Sequence, residues 1–136
     1  MTTELQILAW SVVLGFMYLS LATAAKTRVH GAKWNASSRD AEVPALTGVP
    51  ARLDRAFQNF KETFPFFVAA VMVSEFVSRT TGKQNHLSAV GAHLYFWARI
   101  AYIPLYVTGI PYVRSLVWIV SAIGILLVLS TAVVSA

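Results

Sequence analysis

The sequence predicts an all-α fold, an integral membrane four-helix bundle that forms one domain over residues 1–136 with almost nothing outside the bilayer. Two observations carry this. The chain is 57% hydrophobic with a mean hydropathy of +0.61 in only 136 residues, more apolar surface than a soluble domain of that size can hide, so lipid must be part of its solvent. Its apolar residues also fall into four stretches, each close to the roughly 20 helical residues needed to cross a hydrocarbon core of about 30 Å. Backbone groups in lipid must be satisfied within the segment, which makes helices the only form available to spans of this length.

The first span runs over about residues 5–25 and carries no charge. Ala22-Thr23-Ala24 resembles a signal-peptidase site, but Glu4 stands before the apolar run, no Lys or Arg does, and the run is too long for a signal peptide, so it is expected to be retained. The second, about 57–77, begins with Asn59, Lys61 and Glu62 and has the weakest hydropathy. The third, about 87–109, contains His93 and Arg99, and the fourth, about 116–136, is apolar throughout. Pro65 and Pro104 lie inside spans two and three. Each removes an N–H and frees the carbonyl four residues earlier, which membrane helices accommodate as a packing kink.

The connections set a topology. Residues 26–54 form one long polar loop with Lys26, Arg28, Lys33, Arg39 and Arg52 against Asp40, Glu42 and Asp54; Asn35-Ala-Ser-Ser is turn chemistry, and Pro44, Gly48 and Pro50 are expected to interrupt any continuous helix there. The second loop, Ser78 to His86, holds Arg79 and Lys83, and a tight Gly109-Ile-Pro111 turn leads to Arg114. Loops one and three lie on the same side and carry most of the cations. The positive-inside rule puts loop 26–54 in the cytosol and both termini outside. The net charge of +5 is thus topological, and nothing suggests nucleic-acid binding.

Ionisable residues inside spans are functional by default. Arg55, Asn59 and Glu62 are spaced i, i+4, i+7 and share a helix face, with Arg52 above them. Tyr95, Arg99, Tyr102 and Tyr106 fall within about 60° of arc on span three, with Trp97 opposite. Arg99 requires an anion nearby, Glu62 or a bound carboxylate. His93 lies off that stripe and is expected to be a hydrogen-bonded packing residue; Glu75 is placed to pair with Arg79 at i+4. With no cysteine, and no second histidine at ligand spacing, neither a metal site nor a thiol nucleophile is expected from the chain itself. No phosphate loop, Ser/His/Asp set or dinucleotide fingerprint occurs. The cytosolic ends of spans two to four therefore suit a small polar anion, with the bilayer beside them suiting a hydrophobic second substrate. One subunit cannot cover all of these polar faces, so a closed homo-oligomer is expected.

The run Arg55-Ala-Phe-Gln-Asn59-Phe-Lys-Glu62-Thr-Phe-Pro65-Phe-Phe resembles the signature of the MAPEG family, the membrane-associated proteins in eicosanoid and glutathione metabolism. Tyr95-Phe-Trp-Ala-Arg99-Ile-Ala-Tyr102-Ile-Pro-Leu-Tyr106, followed by Gly109-Ile-Pro-Tyr-Val-Arg114, is similar to that family's third helix and the start of its fourth, in a form like the bacterial branch. Thr63 stands where some glutathione-binding members have tyrosine. The resemblance implies a homotrimer, in a bacterial inner membrane, with glutathione as co-substrate between subunits near the cytosolic face. Arg55, Asn59, Glu62, Arg99, Tyr102 and Tyr106 would bind glutathione, and Arg114 would be the catalytic, thiol-activating cation. The expected activity is that of a glutathione transferase or peroxidase acting on lipophilic electrophiles or lipid hydroperoxides. The contrasting expectation is a non-catalytic membrane protein whose polar stripes only specify helix and subunit packing.

Overall fold

In the computed structural model, which describes residues 1–83 and 86–135, the order is α1 (Thr3–His30), α2 (Ala32–Ala36), α3 (Gly48–Thr81), α4 (His86–Thr108) and α5 (Pro111–Ser135). No strand occurs among these residues. Ala136 of the expected fourth span, and Gln84 and Asn85 of the second loop, lie outside the described residues.

The helices overrun the expected spans. α1 continues to His30, and α3 starts at Gly48. Pro44 lies ahead of this start, Gly48 supplies the positive φ of 62° there, and Pro50 sits in the first turn, where a missing N–H costs nothing. The long polar loop is therefore shorter than expected and holds the five-residue α2. Helical backbone extends past the apolar window at these ends because hydropathy reports burial in lipid, not the end of the hydrogen-bond ladder. α3 and α4 continue through Pro65 and Pro104, as expected.

α1 and α5 are each long and apolar enough to cross a membrane by length and composition; α3 and α4 are comparably long but carry the ionisable residues. α1 buries the narrow stripe Ile7, Ser11, Leu14, Tyr18 and Ala22, while Trp10 and Phe16 are 61% and 65% exposed on its other side. Apolar residues on both faces are what a helix between protein and lipid shows. α4 and α5 come close at Gly91 and Gly124. A Cβ on Gly91 would stand 2.6 Å from the Gly124 carbonyl oxygen, and a Cβ on Gly124 2.6 Å from that of Gly91 and 2.7 Å from the Tyr95 nitrogen. Small residues at such a crossing let backbones touch, which membrane helices use in place of a hydrophobic driving force.

Lys26 pairs with Asp54 at 3.0 Å, joining the end of α1 to the start of α3. At the other end Thr2 caps α1 and its hydroxyl donates to Glu75 on α3 at 2.9 Å. Loop 37–47 and the α4–α5 turn thus share one end of the molecule, and the N-terminus shares the other with the end of α3.

Candidate functional site

The site is built on α4. Tyr95, Arg99, Tyr102 and Tyr106 are all buried, so the single face expected from their spacing exists and points inward. Phe67 of α3 stacks on Tyr95 with ring centroids 4.0 Å apart. Tyr18 of α1 donates its hydroxyl to the Arg99 carbonyl at 2.7 Å, fixing the backbone beneath the guanidinium. Arg99 is completely buried, and its side chain lies over the rings of Tyr95 and Tyr102, at 5.6 and 5.2 Å from their centroids.

The guanidinium's one hydrogen bond among the described residues is to Asn59, whose Oδ1 accepts from Nη1 at 2.7 Å. The Nε and Nη2 nitrogens are buried with no partner. Glu62, an expected counter-ion, is exposed and makes no hydrogen bond or ion pair among the described residues; Arg55 is likewise exposed and unpaired. Of the Arg55, Asn59 and Glu62 face, only Asn59 is brought to Arg99, because it alone lies on the edge of that face turned toward α4. Cation–π contact and one amide bond compensate part of a buried guanidinium, but a buried cation without an anion is costly.

Asn59 and Tyr102, which both contact Arg99, line a cleft of about 360 Å³ together with Tyr106 on one side and Arg114, Ser115, Trp118 and Ile119 of α5 on the other. Arg114 enters it from the first turn of α5, which Pro111 begins, and its guanidinium lies 4.9 Å from the Tyr106 ring centroid. The cleft thus offers an amide and tyrosine hydroxyls along one wall and a cation beside an apolar flank on the other.

A larger cavity of about 510 Å³ lies at the opposite end, against Met1, Glu75, His86 and Ser135. There the polar groups serve one another: the buried hydroxyl of Ser74 is 3.1 Å from that of Ser88 and 3.3 Å from that of Thr131. Glu75 pairs with Arg79 at 2.8 Å, as its spacing predicts. His93, expected to be hydrogen-bonded in the packing, is exposed and makes no hydrogen bond among the described residues; its offset from the tyrosine stripe turns it outward. Trp97 is 60% exposed, as its position opposite that stripe requires. No group of three His, Cys, Asp or Glu that could hold a metal occurs among the described residues.

Sequence reasoning did not single out Ser115, Trp118 and Ile119 or the Gly91–Gly124 contact. Ser115 adjoins Arg114 and Trp118 and Ile119 come about one turn on, a signal that means something only once the cleft is known. The two glycines sit in apolar runs with no partner visible from sequence.

Long helices, two of them long and apolar enough to cross a membrane, and a cleft at one end that holds Arg114 describe a helical protein of membrane type. The chain belongs to the MAPEG family, whose model matches residues 7–134. That family includes glutathione transferases and peroxidases as well as non-catalytic members. No curated relative matches the chain.

Proposed function

We propose that this protein is a glutathione-dependent transferase or peroxidase that spans the membrane as a four-helix subunit and acts on lipophilic electrophiles or lipid hydroperoxides. One observation carries the reading: the fully buried Arg99, with two nitrogens unserved, held against Asn59 and Tyr102, which line a cleft with Tyr106 and Arg114. A ligand carboxylate fits that demand, since an anion is what a desolvated guanidinium lacks. Family membership supports glutathione as the source of that carboxylate.

Arg55 and Glu62 stand exposed on α3. In a homotrimer a neighbouring subunit would cover them, and Glu62 would meet the ligand's amino group while Arg55 meets a second carboxylate. Lys26, Arg28, Lys33, Arg39, Arg52, Arg55 and Arg114 belong to the end of the long loop, against Arg79 and Lys83 at the other, which supports a cytosolic site with the termini outside. The resemblance to the family's bacterial form supports the inner membrane as its location. The chain has no cysteine, so the thiol arrives with the ligand. A free thiol ionises near about pH 8.5 and is a better nucleophile as thiolate, and Arg114 supplies the cation that favours that form. The exposed Trp118 and Ile119 flank the cleft where a lipid-soluble substrate would enter.

Binding and activation can be separated. Interactions felt equally in ground and transition states change KM, whereas those stronger in the transition state change kcat. Glu62→Gln should weaken glutathione binding by about 1.5–3 kcal/mol, the worth of a hydrogen bond to a charged group. Arg114→Ala should leave binding nearly intact and lower both kcat and the ultraviolet thiolate absorbance that appears when glutathione is added in detergent. Equal thiolate and equal turnover in Arg114→Ala would make Arg114 an interfacial anchor.

A second reading, a non-catalytic packing protein, draws on the Asn59 bond and the two tyrosine rings that already engage Arg99 within the chain. Wild-type protein that neither binds glutathione nor forms thiolate would establish it over the first.

A further inference from the structure

The last four carbonyls of a helix have no intrahelical N–H and must find other donors. α4 ends at Thr108, and the Gly109 N–H donates to both Leu105 and Tyr106 carbonyls at 3.2 Å. The next carbonyl, Val107, is served from outside: Arg52 of α3 donates from Nη1 at 2.9 Å. The partner is a cation at a helix C-terminus, where the helix dipole favours positive charge.

The same guanidinium packs against Gly109. A Cβ there would stand 3.0 Å from Cζ and 3.1 Å from each terminal nitrogen, at a residue whose φ of 76° already favours glycine. Arg52 makes no ion pair among the described residues, although Asp54, two positions on, pairs with Lys26. Its charge is therefore committed to the α4–α5 turn, gripped at Val107 and Gly109. Tyr106, immediately before Val107, carries the ring over which Arg114 lies, and Arg114 leaves the same turn five residues after Gly109.

We infer that Arg52 is a positioning residue that anchors the α4–α5 turn and so holds Arg114 over the cleft, an inference that rests on the thiol-activating role proposed above for Arg114. Arg52 acts through the backbone at Val107 and Gly109 and touches no reacting atom. It makes the placement of the activating cation depend on α3, the helix that also carries Asn59.

The test compares wild type, Arg52→Met, which keeps the apolar stem without the donor, and Arg52→Lys, which keeps a cation, all assembled in detergent. Three quantities are measured: backbone hydrogen exchange over residues 107–114, glutathione affinity, and thiolate absorbance with kcat at saturating glutathione. Loss of one charge-assisted anchor should speed exchange in the turn by about tenfold and lower thiolate and kcat by a similar factor. Affinity should stay within about twofold, and Arg52→Lys should recover most of each loss. A merely structural arginine would weaken affinity and kcat together and slacken exchange throughout α3. Unchanged exchange in the turn overturns the anchor; faster exchange with unaltered thiolate and kcat overturns its link to Arg114. Wild type that forms no thiolate removes the glutathione reading itself, and the inference with it, whatever the exchange shows. If Arg52→Met does not fold, the same measurements on Arg52→Gln decide.

Discussion

The two ends of the molecule treat charge in opposite ways. At the N-terminal end the Glu75 carboxylate accepts from the Thr2 hydroxyl at 2.9 Å and pairs with Arg79 at 2.8 Å, and the buried hydroxyls of Ser74, Ser88 and Thr131 serve one another. At the other end a fully buried guanidinium keeps two nitrogens without partners. Buried polar groups are nearly always satisfied, so an orphan marks either a ligand's place or a defect. The contrast argues for the ligand, because satisfied networks elsewhere in the same helices show that α3 and α4 can pair their polar groups where pairing serves only packing.

The sharpest way to break the comparison is Arg99→Met. If Arg99 waits for a ligand anion, removing it should weaken glutathione binding by about 1.5–3 kcal/mol, roughly ten- to a hundredfold in Kd. Stability should not fall, since replacing an uncompensated buried charge with an apolar side chain of similar length is often neutral or stabilising. Binding titration should therefore show a loss that thermal melting of the same detergent sample does not. A large drop in melting temperature together with unchanged Kd would assign Arg99 to packing and make the two ends alike.

A comparable effect, of different kind, is expected at the crossing of α4 and α5. Gly124→Ala puts a methyl 2.6 Å from the Gly91 carbonyl and 2.7 Å from the Tyr95 nitrogen, both backbone atoms that can yield only by moving the helices apart. Overpacking of this sort costs about 1–3 kcal/mol. Tyr95 lies one turn before Arg99 on α4, so the displacement should reach the site as well. Melting in detergent should show the loss of stability, and glutathione affinity should fall with it. A variant as stable as wild type would mean that the helices do not cross as closely as Gly91 and Gly124 place them.

Much of this arrangement was legible in the residues, and the illegible part has a physical cause. The tyrosine–arginine face of α4 follows from helical periodicity alone, as does the Glu75–Arg79 pair, because both lie within one helix. Which residue meets Arg99 could not be read that way. Asn59 and Glu62 share a face of α3, and only the rotation of α3 about its axis, set by contacts with three other helices, decides that Asn59 turns inward while Glu62 remains exposed. His93 fails for the same reason: its offset from the stripe was legible, but not that the offset leads outside. The membrane class came from composition, and the helix ends did not, since α1 and α3 run on through polar sequence to His30 and back to Gly48.

The smallest effect is predicted for Glu75→Gln, and it tests the satisfied end. Arg79 is 71% exposed at its side chain, against 11% for Glu75, so solvent screens the pair from the arginine's side. Ion pairs at exposed helix positions i, i+4 contribute about 0.3–0.5 kcal/mol. A glutamine retains a carbonyl oxygen that can accept from Thr2 and loses the charge and the oxygen that accepts from Arg79. The variant should melt within about a degree or two of wild type, the shift expected for a few tenths of a kcal/mol in a chain of this size. High salt should erase the difference, because screening removes the wild type's advantage rather than the variant's. Glutathione affinity should not change, for Glu75 lies at the opposite end of α3 from Asn59. A glutamine variant that loses affinity would show that the two ends are coupled through α3, and a melting shift that persists in high salt would show that Glu75 is held by more than the pair with Arg79.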